Sequence, residues 1–253
     1  MGRFETTVEF YRYREPYPPI FFETVAARVP LTLKTRLLDV GCGPGYLAIG
    51  FAPFVGSTLA IDREPAMLEA ARAAATEVKR EIAFLQTGIE DLDFGENAFD
   101  FVTIGRALHW LTPEATLRVL ERVVSPEGRI GICGSAATDA AVNEWSVKFR
   151  EVRRAWASDP AEAERHKVDS ELWFSPSLFR KVDEITVEHR HRVSVAELIG
   201  RALSFSTNSP AVLGERRAQY EADIRAAVEP FAKDGTVEEV LRVKATVFGR
   251  RPG

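Results

Sequence analysis

Short apolar runs alternate with helical patterns through the first half of the chain. The first run, at 35–40, is almost continuously apolar, which is typical of a strand that is covered on both faces. Similar runs predict strands at 57–61, 82–86, 99–104 and 129–133, with helices between them at 46–54, 65–79 and 113–124. A Pro and a Gly at 125–128 predict a turn before the fifth strand. Strands that alternate with helices indicate a parallel sheet with crossover helices.

The regular alternation stops after Gly134. Helical spacing predicts helices at 145–157, 175–181, 195–203 and 210–231, and period-two alternation predicts strands at 185–193 and 237–248. The predicted fold is therefore α/β: a Rossmann-like, doubly wound, seven-stranded sheet, mostly parallel with an antiparallel last strand. We expect one domain over residues 1–253, with an N-terminal helical lid at 1–34 and a helical insertion at 136–171 after the fifth strand.

The composition is that of an ordinary globular protein, and it narrows the classes of ligand. Hydrophobic residues make up 45% and charged residues 28% of the 253 residues, and the net charge is −4. With this acidic balance and no long run of Lys or Arg, binding to nucleic acid is disfavoured. The two cysteines, Cys42 and Cys133, lie in apolar or glycine-rich segments, which favours buried thiols and a cytoplasmic location. No apolar run approaches the length of a membrane span, and no Cys and His cluster predicts a metal site.

Three glycines follow the first predicted strand in the spacing Gly41-x-Gly43-x-Gly45. Glycines at such a position allow a tight turn and let the backbone approach a ligand closely. Asp62 ends the second predicted strand about 20 residues further on, where an acidic side chain can accept both hydroxyl groups of a ribose. The pattern therefore predicts a ligand that contains a nucleoside.

The glycine spacing differs from the dinucleotide fingerprint G-x-G-x-x-G. Together with Asp39 at the end of the strand, it resembles motif I of the class I S-adenosylmethionine-dependent methyltransferases, in which Asp62 matches the acidic residue after strand two. Further segments resemble the small-molecule branch of that family, which includes trans-aconitate and ubiquinone/menaquinone-type methyltransferases. These segments are 13–18 at the N-terminus, 88–92 after strand three, and 99–102 with 107–111 around the end of strand four.

The resemblance implies S-adenosylmethionine as the cofactor, with S-adenosylhomocysteine as its product. The implied cofactor-binding residues are Tyr13, Arg14, Tyr17, Asp39, Gly41, Gly43, Gly45, Asp62, Arg63, Met67, Ile89, Glu90, Gly105 and Leu108. The residues of this set before position 50 would hold the methionyl end of the cofactor, and Asp62 would hold the ribose. The residues from Arg63 to Glu90 would lie near the adenine, and Gly105 would offer its carbonyl near the sulfonium. The chain departs from the family at Gly88, where an acidic residue usually contacts the adenine amino group. Glu90 or Asp91 could replace it, or adenine could be held by backbone alone.

His109 is the candidate catalytic residue, because it follows strand four, where the resemblance places the donor methyl group. Methyl transfer is an in-line displacement that needs a general base only when the nucleophile arrives protonated. His109 could act as that base or position the acceptor, or it could have a structural role in which His109 and Trp110 cap the next helix and pack against the lid. The aromatic residues Trp145, Trp156, Trp173 and Phe174 could line the acceptor pocket or form plain core.

His189 and His191 alternate on one face of a predicted strand. They could take part in a metal site, but no third ligand is evident, and a packed or solvated strand face is favoured.

The predicted function is methyl transfer to an oxygen, carboxylate or carbon of a small-molecule acceptor. An alternative is a catalytically silent regulatory protein that binds S-adenosylmethionine or S-adenosylhomocysteine. A nicotinamide-dependent oxidoreductase is disfavoured by the glycine spacing. We expect a monomer or homodimer, with no nucleic-acid or membrane partner.

Overall fold

A computed structural model of the protein describes residues 6–159 and 168–251. The chain divides into two compact units. We call the first the sheet unit, which comprises Tyr17–Gly134, Lys167–Val187 and Val243–Gly253. We call the second the helix-rich unit, which comprises Met1–Pro16, Ser135–His166 and Glu188–Arg242. The segment 1–34 that we expect to form a lid thus has residues in both units, and part of the expected insertion at 136–171 lies outside the described residues.

Seven strands form one sheet in the order β3-β2-β1-β4-β5-β7-β6. Their bounds are β1 Arg36–Val40, β2 Ser57–Asp62, β3 Ala83–Gln86, β4 Phe99–Gly105, β5 Val124–Ala137, β6 Phe179–Ser194 and β7 Thr236–Arg250. Strand β1 is parallel to both β2 and β4, β2 is parallel to β3, and β4 is parallel to β5. The predicted α/β fold with a mostly parallel, seven-stranded sheet is confirmed.

The last strand, β7, runs antiparallel to both of its neighbours. Against β6, Arg192 bonds Thr236 while Lys244 pairs with Glu184, so residue numbers fall along one strand as they rise along the other. Against β5, Thr138 bonds Val240 at one end and Arg129 contacts Gly249 at the other, again in opposite directions. The prediction of an antiparallel last strand is therefore correct.

Nine α-helices lie in the described part of the chain. They are α1 Pro19–Arg28, α2 Tyr46–Phe51, α3 Pro65–Glu77, α4 Pro113–Val123, α5 Glu144–Ala155, α6 Ser170–Phe174, α7 Val195–Leu203, α8 Pro210–Leu213 and α9 Arg217–Val228. Four of them begin with Pro, whose fixed φ and missing N–H suit the first helical turn. The helices predicted in the first half of the chain lie where the hydrophobic spacing indicates.

Each unit has its own hydrophobic core. In the sheet unit, the central strands β1 and β4 are buried along almost their whole length, and the core continues to Phe174, Phe179 and Phe248. In the helix-rich unit, Trp145 and Phe149 of α5 pack with residues of α7 and with Tyr220 of α9. Burial of both faces of β1 explains its nearly continuous apolar sequence.

Three local predictions for the chain after α4 are wrong. Residues 125–128 do not form a separate turn but bulge out of β5, since Val124 pairs with Phe99 and Arg129 already pairs with Phe101. The helix expected at 175–181 is replaced by the start of β6 at Phe179, whose side chain is fully buried beside Phe174. The helix expected at 210–231 is interrupted at Gly214, whose φ of +54° is outside the helical region.

Candidate functional site

The three glycines after β1 all have left-handed backbone conformations, with φ of +63° at Gly41, +53° at Gly43 and +84° at Gly45. A Cβ atom at Gly41 would lie 2.7 Å from the Cβ of Ala107, so a side chain is excluded there. At Gly43, by contrast, no atom of the described residues lies within 4 Å of that position. Gly41 thus permits close packing between the turn and the segment after β4, whereas the space in front of Gly43 is open to a ligand.

The carboxylate of Asp62 is bonded to the glycine turn. Its Oδ2 accepts a 2.8 Å hydrogen bond from the backbone N–H of Gly43, and its Oδ1 accepts a 2.9 Å bond from the N–H of Glu64. These bonds hold the side chain in one orientation beside Gly43. Each carboxylate oxygen has two lone pairs, so Asp62, which is only half-buried, retains capacity to accept bonds from a ligand.

Asp39 lies beneath the turn and is only 1% exposed. Its Oδ1 accepts a 2.7 Å hydrogen bond from the hydroxyl of Thr103 in β4, and its Oδ2 accepts a 3.1 Å bond from the N–H of Ala48 in α2. Burial raises the pKa of Asp39 to about 7, although both hydrogen bonds act in the opposite direction. The Asp39 carboxylate therefore connects β1 to β4 and to α2, and these connections fix the position of the glycine turn between β1 and α2.

The end of β4 brings Gly105 next to two side chains. A Cβ atom at Gly105 would lie 2.5 Å from Cδ1 of Leu47 and 3.4 Å from the hydroxyl oxygen of Tyr17. The next residue, Arg106, has a left-handed φ of +56°, and its guanidinium carbon lies 4.7 Å from the centre of the Tyr17 ring. Tyr17, Gly105 and the glycine turn are all parts of the sheet unit.

Gly88 leaves room for an arginine side chain. A Cβ atom at Gly88 would lie 2.3 Å from Nε of Arg63, so the guanidinium group lies directly on this glycine. The same guanidinium makes a 2.8 Å ion pair with Glu90 and lies 3.7 Å from Asp91. The acidic residues that could replace the family's usual one are therefore both paired with Arg63.

Met67 and Ile89, which the resemblance implies near adenine, are 2% and 1% exposed. Both side chains are buried in the sheet unit, where they support the backbone at these two positions.

His109 lies in a short 3-10 helix, Leu108–Trp110, that follows β4. Its ring is half-buried and its centre lies 4.7 Å from the ring centre of Trp110, which is 39% exposed. Leu108 is buried in the core of the sheet unit. Since Ala107 contacts the glycine turn at Gly41, His109 is held two residues from that contact.

The N-terminal candidates fall in different units. Tyr13 and Arg14 belong to the helix-rich unit, where the Tyr13 ring packs on Gly200 and the Tyr13 carbonyl accepts a 2.8 Å bond from Nε of Arg201. Arg14 lies over the Phe205 ring at 4.0 Å. Tyr17 belongs to the sheet unit. Within the sheet unit, the structure thus brings together Tyr17, the turn, Asp62 and the end of β4.

The two histidines of β6 are part of a strand face with a buried ion pair. Their ring centres are 4.9 Å apart, and Nε2 of His191 lies 2.7 Å from Oε2 of Glu239. Glu239 also accepts two hydrogen bonds from the guanidinium of Arg201, at 2.7 and 3.0 Å. In the part of the chain that the structure describes, no group of three or more His, Cys, Asp or Glu could hold a metal ion.

The aromatic candidates for an acceptor pocket pack into two separate cores. Trp145 is buried in the helix-rich unit, where its indole N–H donates a 3.0 Å bond to the carbonyl of Glu238. Phe174 is buried in the sheet unit and stacks on Phe248 with ring centres 4.4 Å apart. Trp145 and Phe174 are therefore core residues, as the second of the two interpretations has it.

Two contributors to the site escaped sequence reasoning. Thr103 is a polar residue inside a buried strand, where a hydroxyl group needs a hydrogen-bond partner. This placement is the feature of the sequence that indicates its bond to Asp39. Ala107 carries no chemical signal, because its importance lies only in its contact with Gly41.

Among residues 6–159 and 168–251, no helix is long and apolar enough to cross a membrane.

Residues 38–132 match the model of a family described as a methyltransferase domain. An uncharacterised methyltransferase of Mycobacterium tuberculosis is 32% identical over 123 residues, which cover 49% of this chain and 47% of that relative. A ubiquinone biosynthesis O-methyltransferase of Alkalilimnicola ehrlichii is 39% identical over 97 residues, covering 38% of this chain and 39% of the relative. The matched part of the chain spans less than half the length of each of these relatives.

Solved structures match a larger part of the chain. A protein from Anaeromyxobacter dehalogenans, provisionally assigned as a type II methyltransferase, has a TM-score of 0.64 at 18% identity, covering 94% of this chain and 97% of that one. The YcgJ protein from Bacillus subtilis has a TM-score of 0.55 at 20% identity, covering 92% of this chain and 98% of that one. Together, the matches in sequence and in fold confirm the resemblance to class I methyltransferases.

Proposed function

We propose that this protein transfers a methyl group from S-adenosylmethionine to an oxygen, carboxylate or carbon of a small molecule. The observation that carries the proposal is the open space in front of Gly43, next to a carboxylate that is held in place by the N–H of Gly43. The nucleoside part of S-adenosylmethionine fits this arrangement because its sugar hydroxyls can donate to Asp62. The methionyl chain can then approach the glycine backbone.

The fit of the cofactor rests on residues of the sheet unit. Asp62 would hold the ribose hydroxyls, and the backbone of Gly41, Gly43 and Gly45 would hold the methionyl end. Asp39 would act as a positioning residue, because its two oxygens bond Thr103 and Ala48 and its side chain is buried. When bound, S-adenosylmethionine supplies an electrophilic methyl group on a positively charged sulfur.

Arg63 and Glu90 would border the adenine ring. Their ion pair covers Gly88, so adenine would meet a paired guanidinium where other family members present a carboxylate. Tyr17 and the carbonyl of Gly105 would lie near the methionyl end, since the Tyr17 hydroxyl is close to Gly105.

His109 is the candidate to hold the proton of the acceptor. It follows β4 and is half-buried, and its Nε2 atom is buried. An imidazole suits this task because it exchanges protons near neutral pH. The ubiquinone biosynthesis O-methyltransferase among the relatives supports phenolic and other hydroxyl compounds as the first acceptors to test.

A second candidate function is binding of the cofactor or its product without turnover. The fold is compatible with this candidate because it also hosts activities other than methyl transfer: the [4+2]-cyclase SpnF has a TM-score of 0.51 at 20% identity and covers 92% of this chain. Fold alone therefore does not decide between methyl transfer and another use of the site.

Calorimetric titration with S-adenosylmethionine and S-adenosylhomocysteine tests the shared part of both candidates, and we expect binding of both. A screen of small hydroxyl compounds and organic acids for release of S-adenosylhomocysteine then separates them. Binding with turnover supports the methyltransferase, and binding without turnover across the panel supports the silent protein. If neither compound binds, both candidates are wrong.

A further inference from the structure

The side chain of Arg63 lies against Gly88, at the carboxyl ends of β2 and β3. A Cβ atom at Gly88 would lie 2.6 Å from Cζ of Arg63, so the guanidinium occupies space that any other residue at this position would fill. The backbone of Gly88 is extended, with a φ of −86° and a ψ of 161°, a conformation that every residue type can adopt. The placement of Arg63, and not the backbone conformation, therefore explains the glycine at position 88.

The ion pair between Arg63 and Glu90 leaves hydrogen-bonding atoms unused on both side chains. Nη2 of Arg63 donates a 2.8 Å bond to Oε2 of Glu90, and no described residue donates to the other oxygen of Glu90. On the guanidinium, no described residue accepts from Nε or Nη1. The side chain of Arg63 is 64% exposed and that of Glu90 is 21% exposed, so both can be reached from solvent. The pair therefore offers an N–H donor and a carboxylate acceptor next to each other.

The segment after β3 adjoins Asp62, which we propose as the acceptor of the ribose hydroxyls. The N–H of Thr87 donates a 3.1 Å bond to the carbonyl of Asp62, and the side-chain amide of Gln86 donates a 3.3 Å bond to the carbonyl of Arg63. Because the strand order is β3-β2-β1, the glycine turn, Asp62 and Gly88 follow one another along one edge of the sheet. A nucleoside with its 5′ chain at the glycine turn and its ribose at Asp62 therefore extends its base towards the ion pair.

We propose that the base end of the site accepts 6-oxopurine nucleosides as readily as adenosine. Adenine carries an amino donor at its 6-position beside the ring acceptor N1, whereas hypoxanthine carries an oxygen acceptor beside an N1–H donor. The Glu90 carboxylate can accept from the amino group of adenine, and the Arg63 guanidinium can donate to the oxygen of hypoxanthine. This inference rests on the proposed function, because the base is placed by a ribose at Asp62.

Arg63 is the residue that determines this tolerance. A carboxylate without the guanidinium would face the 6-oxo group with a second acceptor, and an acceptor that loses its donor costs free energy. The guanidinium supplies that donor and offsets the charge of Glu90. Asp91 lies 3.7 Å from the same guanidinium but is 74% exposed, so solvent screens its charge. Gly88 acts as a positioning residue, because a side chain there would displace Arg63.

Calorimetric titration of the wild-type protein tests the tolerance directly. It compares S-adenosylhomocysteine with S-inosylhomocysteine, the analogue in which a 6-oxo group replaces the amino group. We expect S-inosylhomocysteine to bind no more than about fivefold more weakly. A larger preference for S-adenosylhomocysteine would overturn this inference and leave the proposed function intact. If neither compound binds, the proposed function is wrong as well.

Two variants test whether Arg63 is the cause. Arg63→Met removes the donor and the charge, so it should weaken S-inosylhomocysteine relative to S-adenosylhomocysteine by about tenfold. Gly88→Ala keeps the arginine but displaces its guanidinium, so it should shift the ratio of the two affinities in the same direction. Arg80→Met is the matched control, because it removes the same charge from an exposed arginine that precedes β3, at the opposite edge of the sheet. It should leave the ratio unchanged.

The ratio of affinities separates recognition of the base from effects on folding. Both compounds are titrated into the same preparation of each variant, so a loss of folded protein lowers both signals equally and leaves the ratio unchanged. A ratio in Arg63→Met and Gly88→Ala equal to that of the wild type would assign base recognition to other groups and contradict the inference.

Discussion

The backbone N–H of Gly43 donates a 2.8 Å hydrogen bond to the carboxylate of Asp62, and this bond joins the glycine turn after β1 to the end of β2. The two residues are 19 positions apart in sequence but adjacent in the sheet, because β1 and β2 are parallel neighbours. The carboxyl ends of parallel strands are where open α/β sheets bind their ligands. The bond thus orients an acceptor of hydrogen bonds at the place where a ligand would meet both strands.

Asp62→Ala should weaken the binding of S-adenosylhomocysteine by about 1–3 kcal/mol, because the ribose would lose its hydrogen-bond acceptor. Calorimetry well below the Tm measures this, since the variant also leaves the N–H groups of Gly43 and Glu64 without their partner. A 2′-deoxyribose analogue of the ligand provides the control. It should bind the wild type more weakly but lose little further affinity in Asp62→Ala. An unchanged affinity for S-adenosylhomocysteine would mean that the ribose is held elsewhere.

Gly43→Ala and Gly41→Ala should separate ligand binding from packing. Both place alanine in a left-handed conformation, which costs roughly 1–2 kcal/mol of stability. Gly43→Ala adds a methyl group in open space, so it should lower affinity for S-adenosylhomocysteine more than tenfold while adding no clash within the protein. Gly41→Ala meets Ala107 at 2.7 Å, so it should lose further stability that Ala107→Gly partly restores. Chemical denaturation and calorimetry on the same samples measure both effects, and wild-type affinity in Gly43→Ala would contradict the proposed site.

The turn and the parallel strands could be predicted from the sequence because local rules dominate there. β1 is buried on both faces and reads as a continuous apolar run, and the left-handed backbone at Gly43 and Gly45 requires glycine. Phe179 shows where such rules fail: the pattern around it suits a helix, but its ring is buried beside Phe174 as the first residue of β6. That choice depends on packing between distant segments, which no local pattern encodes.

The same distinction applies to the candidate site. Asp62 could be predicted because its position after β2 has a chemical meaning. The glycine at position 88 looked like a missing adenine contact, and only the structure relates it to the guanidinium of Arg63. Thr103 and Ala107 act through contacts between β4 and other elements, so their roles follow from topology and not from residue type.

Asp39 should make stability depend on pH. Burial raises its pKa to about 7 in the folded protein, whereas an unfolded aspartate titrates near pH 4, at roughly its ordinary value. Between these values the folded state holds the proton more tightly, so the free energy of unfolding should fall as pH rises from about 4 to about 7. The slope from this one group is at most about 1.4 kcal/mol per pH unit.

Asp39→Asn should flatten that part of the profile. Its amide can accept from Ala48 and donate to Thr103, so the connections between β1, α2 and β4 can be kept. Asp91→Asn is the control, because this carboxylate is 74% exposed and should leave the slope unchanged. Urea denaturation at a series of pH values measures the slope. An equal slope in wild type and Asp39→Asn would assign the pH dependence to other groups.

His109→Ala should separate proton transfer from cofactor binding, once the screen has identified an acceptor. If the imidazole removes the acceptor proton, kcat should fall by about 10²–10⁴ while the affinity for S-adenosylhomocysteine stays within about threefold of wild type. His189→Ala, in the helix-rich unit, is the matched control and should retain turnover. Release of S-adenosylhomocysteine gives kcat and KM for each variant. A raised KM with unchanged kcat would make His109 a positioning residue for the acceptor. Turnover near that of the wild type, with a lowered Tm, would limit His109 to packing against Trp110, whose ring centre is 4.7 Å away.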